Sequence, residues 1–190
     1  MLVKQLLVMQ MPGSNEGFNT RLRILRENAQ LRPSEICKIS GVKPSVYALY
    51  ESGARAPSLE PLRLLMKNQC IRERSVWLIL GLEHDVDYEF STHFFPYAHG
   101  RNAGNLPELI QAWVHFKGYS IADAASLLDV SENTFNGVMY GYRTSPHFRT
   151  ISKLMANNEL LAIIDFYLTD QIRTPGEVLL AMMEPDSVSV

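Results

Sequence analysis

The stretch RLRILRENAQLRPSEICKISGVKPSVYALYESGARAPSLEPLRLLMK, residues 21–67, decides the fold. Apolar residues at Phe18, Leu22, Leu25 and Ala29 recur at helical spacing, which predicts a first helix entering this stretch. Pro33 suits the opening of a second helix to about Ile39, because proline lacks only an N–H that the first turn leaves unbonded anyway. Gly41 breaks that helix, and Pro44 opens a third that ends at Gly53. Ser58 is the expected cap of a fourth, with Leu59, Leu62, Leu65 and Met66 turned inward. A fifth is expected over about residues 73–80. No segment alternates with period two over a useful length, so the reading is all-α.

Working outward, residues 83–104 read as a linker, acidic first and then aromatic (Tyr88, Phe90, Phe94, Phe95, Tyr97), and partly packed through its rings. A second helical region spans 105–172. Asn105 to Glu108 and Ser120 to Asp123 are capping-box patterns, and Ser131 caps a helix ending at Gly141. Further helices are expected at Phe148–Met155 and Leu160–Leu168. Thr174, Pro175 and Glu177 start a last helix, near Met183 at its end, within a C-terminal helix and tail at 173–190. Residues 1–17 read as an N-terminal arm that packs on its own domain or on a second subunit, and they lack a signal-peptide cleavage pattern.

A displacement of 88 residues superimposes the second region on the first. Leu22 meets Ile110, Leu25 meets Trp113, Cys37 meets Ala125, Val42 meets Val130, and Gly53 and Arg55 meet Gly141 and Arg143. After one inserted residue, Pro57 meets Pro146, Met66 meets Met155 and Asn68 meets Asn157. The expected organisation is therefore two tandem five-helix domains of one type, 18–82 and 105–172.

The chain has 190 residues, of which 46% are hydrophobic, and this excludes wholesale disorder. No apolar run is long enough to predict a membrane span. Two cysteines, Cys37 and Cys70, are too few for a disulfide framework or a cysteine zinc site, and a reducing, cytoplasmic setting is expected. Charge is unevenly spread. Residues 1–80 hold twelve Lys and Arg against six acids, whereas 81–100 hold four acids and no Lys or Arg. Residues 159–190 hold six acids against Arg173 alone. Such asymmetry points to a polyanion-binding half and an acidic half facing something else, or to one basic solvated face. His84, His93 and His99 near Asp85 and Asp87 match no ligand spacing, so no metal or other cofactor is expected. There is no Gly-rich phosphate loop, H-E-x-x-H or G-x-S-x-G. His115 reads as a surface histidine, and Tyr140 and Tyr142 lack the partners of a tyrosine nucleophile, so no catalysis is expected.

The run Glu35-Ile36-Cys37, Gly41-Val42 in the turn, then Tyr47, Tyr50, Glu51 and Gly53-x-Arg55-x-Pro57, followed by SVWLILG at 75–81, resembles the helix-turn-helix domain of the Cro/C1 phage-repressor family. The resemblance covers about a third of the chain. It implies a lambda-repressor-like fold whose third helix enters the major groove. It places Lys43, Pro44, Ser45, Ala48 and Leu49 toward the groove, Arg32, Ser34, Lys38 and Arg55 near phosphates, and an ion pair between Arg26 and Glu51. In the second copy that pair becomes Val114 and Met139, an apolar replacement of a buried ion pair.

The sequence also departs from the family. Only Lys43 and Ser45 are polar among the groove positions, whereas base reading favours Arg, Gln, Asn or Lys. Pro33 stands where family members often carry a polar phosphate ligand. One implied function is therefore a regulator that binds double-stranded operator DNA as a homodimer, with its helices about 34 Å apart. It would lean on phosphate contacts and DNA shape. The alternative is a protein-binding regulator that uses an apolar strip including Val46 and Leu49. In the second domain Ser131, Glu132, Asn133 and Asn136 face outward beside Gly137. Asn133 and Asn136 can read adenine, with Arg143, Arg149, Lys153 and His147 as phosphate partners. The other reading is a degenerate copy that dimerises or meets a protein partner through the acidic C-terminal half.

Overall fold

The computed structural model describes residues 17–81, 90, 93–94, 105–143 and 145–170. The arm at 1–16, most of the 83–104 linker and the C-terminal helix expected after 173 lie outside the described residues, as do His84, His99, Asp85 and Asp87. The described chain is mostly helical. In the first half, α1 is Phe18–Asn28, α2 Pro33–Ser40, α3 Pro44–Glu51, α4 Leu59–Leu65, α5 Gln69–Arg72 and α6 Ser75–Leu80. In the second, α7 is Leu106–Lys117, α8 Ile121–Leu127, α9 Glu132–Met139, α10 Phe148–Met155 and α11 Asn158–Thr169. Among the described residues no helix is long and apolar enough to cross a membrane.

The apolar spacing explains the packing. Phe18, Leu22 and Leu25 of α1 are buried, as are Ile36 and Cys37 of α2, Tyr47 and Tyr50 of α3, and Leu59, Leu62 and Leu65 of α4. Pro33 and Pro44 occupy the first turns of α2 and α3. Gly41 ends α2 at φ 76°, a left-handed conformation that costs glycine nothing. Buried Ser40 donates its hydroxyl to the Ile36 carbonyl at 2.7 Å and accepts the Val42 N–H at 3.2 Å, which fixes the turn. Phe90 and Phe94 are buried and meet Phe116 edge to face, so these two rings of the linker pack on the core.

Some boundaries differ from expectation. The helix expected over 73–80 is α6, starting at Ser75, and an additional short helix, α5, precedes it, begun where Asn68 accepts the Cys70 N–H. Ser58 stands at the start of α4 but caps no helix amide. Its hydroxyl accepts from Ser145 of the other half at 2.9 Å instead. Asn105 donates to Glu108 at 2.8 Å rather than accepting a helix N–H. Ser120 and Ser131 do cap, each accepting the N–H three residues on.

The two halves repeat in their backbone. Helices α7 to α9 begin 88 residues after α1 to α3, and α10 and α11 begin 89 after α4 and α5. The left-handed residues keep the same offsets. Gln30 (φ 54°) pairs with Gly118 (67°), Gly41 (76°) with Asp129 (50°), Gly53 (77°) with Gly141 (72°), and Gly81 (75°) with Asp170 (56°). Three of these eight are not glycine. A non-glycine residue at positive φ is uncommon, so the tertiary fold imposes these turns where the side chain disfavours them.

The halves also pack on each other. Helix α11 lies against α4 and α6, and α10 lies against α6. Phe18 meets Phe148 edge to face at 4.9 Å. Ser58 and His147 form an antiparallel bridge, with the Leu59 N–H on the Pro146 carbonyl at 3.1 Å. The Tyr167 hydroxyl donates to Glu60 at 3.0 Å, and Arg63 lies 4.8 Å above the Tyr167 ring. Buried Ser75 donates to buried Asp165.

Arg26 and Glu51 meet as the resemblance implies. Arg26 Nε donates to Glu51 Oε1 at 2.6 Å, and both side chains are 14% exposed. The Tyr47 hydroxyl donates to the same oxygen at 3.0 Å, and Arg26 also donates to the Leu31 carbonyl at 3.2 Å. This network ties α1 to α3 and leaves few unmet hydrogen bonds. Removing one member strands a mostly buried charge, at a cost of about 3 kcal/mol. At the equivalent positions Val114 is half-buried and Met139 buried. Arg26→Val should therefore lose about 3 kcal/mol in urea denaturation, while Arg26→Val combined with Glu51→Met should recover most of that loss.

The thiols are the second packing test. Burial pushes the Cys37 thiol up, aided by the Glu51 carboxylate. Burial and Glu73 push Cys70 up to about 11. At pH 8 roughly one Cys70 in a thousand is then thiolate, and only the thiolate reacts. Iodoacetamide at pH 8 should alkylate neither cysteine appreciably in the native chain and both in denaturant, measured by mass spectrometry.

Candidate nucleic-acid interface

Helices α2 and α3 with the Gly41 turn form a compact unit that turns one side of α3 outward. Tyr47 and Tyr50 anchor the inner side. Lys43, Pro44, Ser45, Ala48 and Leu49 are exposed, Leu49 to 41%, and Val46 is half-buried. The structure thus brings the five groove positions onto one accessible strip at the start and outer side of α3.

The flanking groups sort by charge. Lys38 and Arg55 are exposed, and neither they nor Lys43 forms an ion pair among the described residues. Arg55 is held by its own N–H on the Leu49 carbonyl at 3.1 Å. Arg32 is exposed but pairs with Glu35 at 3.2 Å. Glu35 also accepts the Arg32 N–H at 2.7 Å, and both contacts hold its carboxyl below the ordinary range. Ser34 is exposed beside it. The acids of this unit are thereby occupied. Glu51 faces Arg26 inward and Glu35 serves the start of α2, so the outward strip keeps three uncompensated cations.

The second half presents a different strip on the same scaffold. Asp129 takes the place of Gly41, and Lys153 Nζ grips its carbonyl at 2.6 Å and its carboxylate at 2.7 Å. That contact lowers the Asp129 carboxyl and occupies Lys153, one of the expected phosphate partners. Ser131 is exposed and spent on the cap of α9, with its hydroxyl also on Thr134 at 2.8 Å. Glu132 and Asn133 are exposed, as are Arg143, His147 and Arg149. Asn136 is only half-buried rather than free, and its side-chain oxygen is buried without a hydrogen-bond partner among the described residues.

Gly137 explains part of this. It is buried, and a Cβ built there would meet the Arg143 side chain at 3.0 Å. Glycine weakens a helix by roughly 1 kcal/mol against alanine, and here it makes room for an arginine to lie across α9. The Arg143 N–H bonds the Gly137 carbonyl at 2.8 Å, which repeats the Arg55–Leu49 bond of the first half. The Arg143 side chain, through Cγ, Cδ and Nε, therefore covers the site that Leu49 fills on α3.

Sequence reasoning missed two groups of residues. Tyr142 is 82% exposed beside Tyr140, their rings 5.9 Å apart, next to Arg143. The signal was two tyrosines around Gly141, read there only for catalysis. The second group is the contact between halves, Ser58, Ser75, Asp165 and Tyr167. A polar Asp165 inside the apolar run LLAIIDFYL was its one sequence sign. A small cleft of about 250 Å³ also lies between the halves, lined by Leu59, Leu106, Pro107, Val138, Pro146 and Tyr167. The lining is mostly apolar, but Asn105, Gly141 and Arg143 belong to it as well. No protein-family model, no curated protein and no solved structure matches this chain.

Proposed function

We propose that the chain is a double-stranded-DNA-binding regulator of helix-turn-helix type, acting in the cytoplasm, with two tandem domains of one fold at 18–82 and 105–172. The observation that carries this reading is the outward strip of α3. Lys38, Lys43 and Arg55 surround it without acidic partners among the described residues, while Glu35 and Glu51 are engaged elsewhere. Lys43 and Ser45 sit at the N-terminal end of α3, where the resemblance puts base contacts. Arg55 and Lys38 would meet phosphates on either side. Few hydrogen-bonding groups reach base edges, so affinity rests on phosphate neutralisation and on DNA shape. No catalytic role is assigned.

A second reading is favoured by a separate observation, the exposure of Ala48 and Leu49 with half-buried Val46 on α3. An apolar strip of this kind fits a protein partner, and a fold alone does not fix what it binds.

Salt separates the two. Binding of duplex DNA should weaken steeply between 50 and 200 mM salt, as counterion release requires. Arg55→Ala should weaken binding to all sequences about equally and reduce the salt slope by about 1. Ser45→Ala should mainly relax base preference. Fluorescence anisotropy on labelled duplexes reads both effects. Unchanged affinity of the Arg55 variant at low salt would overturn the docking described here.

A further inference from the structure

The contacts between the halves are related by an approximate two-fold axis. Ser58 bridges to His147, and these residues are each other's equivalents, 89 apart. Phe18 packs on Phe148. Their equivalents are Leu106 and Leu59, which line one cleft together. Helix α11, which spans the equivalents of both α5 and α6, packs on α4, and the mirror contact, α6 on α10, is also made. The Ser75–Asp165 bond has as its counterpart Val76 and Ile164, both buried. In an isologous contact residue i meets j while j meets i, and this interior interface follows that rule inside one chain.

We infer that a single copy of this chain binds DNA as an internal pseudo-dimer, on a duplex whose two half-sites differ in sequence. This rests on the DNA-binding reading above and puts the two halves of one chain in place of the homodimer that the resemblance implies. The same axis that relates α4 to α10 relates α3 to α9. The surface through which a second copy would repeat this pairing is already covered, since Leu59, Leu78, Asp165 and Tyr167 are at most 4% exposed. The two outward strips are unlike. The first offers Lys43, Ser45, Ala48 and Leu49, and the second offers Glu132, Asn133 and an arginine laid across Gly137. Unlike strips on a symmetric frame select unlike half-sites. Asn133 has the donor and acceptor pair that adenine asks for, and Arg143 suits guanine or phosphate.

The test selects duplexes from a random pool with the full chain and weighs the complexes by sedimentation equilibrium. The expected result is one chain per duplex, on sites with two dissimilar halves about 10 base pairs apart centre to centre. Ser45→Ala should relax preference in one half only. Asn133→Ala should relax the other only, by about tenfold in discrimination. Both residues are exposed, and circular dichroism checks that the variants fold. Two chains on an inverted repeat would overturn the pseudo-dimer and leave the regulator reading standing. A single half-site indifferent to Asn133→Ala would do the same. Absence of duplex binding at 50 mM salt would overturn both.

Discussion

Helix α11 has to be buried on nearly every side, and the rest of the molecule is arranged around that constraint. From Leu160 to Thr169 only Phe166 is not buried. A helix apolar all round cannot lie on the surface of one small domain. The second half covers part of it through α7 and α10, and the first half covers the rest through α4 and α6. Trp113 and Lys117 on α7 hold its start through Glu159, at 2.9 and 2.6 Å. Full burial of Leu160, Leu161, Ile163 and Ile164 contributes about 2 kcal/mol each in transfer free energy. That gain is available only when both halves are in place, so the halves stabilise each other. Asp165 in the middle of this helix is tolerated because the Ser75 hydroxyl reaches it. A buried polar group left without such a partner costs more than the bond gains.

The same structural problem is solved twice within the chain, by different chemistry. Helix α1 is tied to α3 by Arg26, Glu51 and Tyr47, a mostly buried network in which each charge has its partners. Helix α7 meets α9 through Val114 and Met139 at the equivalent positions, and a separate bond from Gln111 to the Met139 carbonyl at 2.7 Å adds direction. An ion pair and an apolar contact of similar volume can serve alike in such a place. They differ in specificity. The Arg26 fork fixes the orientation of α3, and so of Lys43 and Ser45, more tightly than van der Waals contact alone would.

Much of this was legible in the residues. The apolar periodicity gave the helices within a few positions, and Pro33, Gly41 and Pro44 marked the α2–α3 turn because their backbone chemistry leaves few choices. The offset of 88 was visible from side chains such as Cys37 and Ala125. Its backbone counterpart was not, because Gln30, Asp129 and Asp170 hold left-handed conformations that nothing local to them demands. The Ser58 cap failed where it met the other half, and the Asn105 cap failed on Glu108 of its own helix. Ser58 reads as a cap by itself, but Ser145 competes for its hydroxyl. Asn136 reads as an outward amide until the helix face around Gly137 and Arg143 is seen. For Ser58 the deciding neighbour is distant in sequence, and for Asn136 it is the packing of nearby Gly137 and Arg143, which rules that read one residue at a time do not hold.

The two outward strips bear on what the repeated backbone frame is for. The frame repeats down to its left-handed turns and to the bond from residue 55 or 143 back into the preceding helix. The surface does not repeat. Ser45 becomes Asn133, Leu49 becomes Gly137, and Lys43 becomes Ser131. A second copy serving only to bury α11 would have no need of a glycine in α9, which costs helix stability. That glycine gives Arg143 a fixed path across the helix, with Asn133 one turn away on the same face. Placing a long cation over a weakened helix stabilises nothing in the fold that a leucine there would not. The arrangement makes physical sense if the Arg143 side chain is wanted on the outside of α9, which is what the proposed binding of a polyanion across both halves would use.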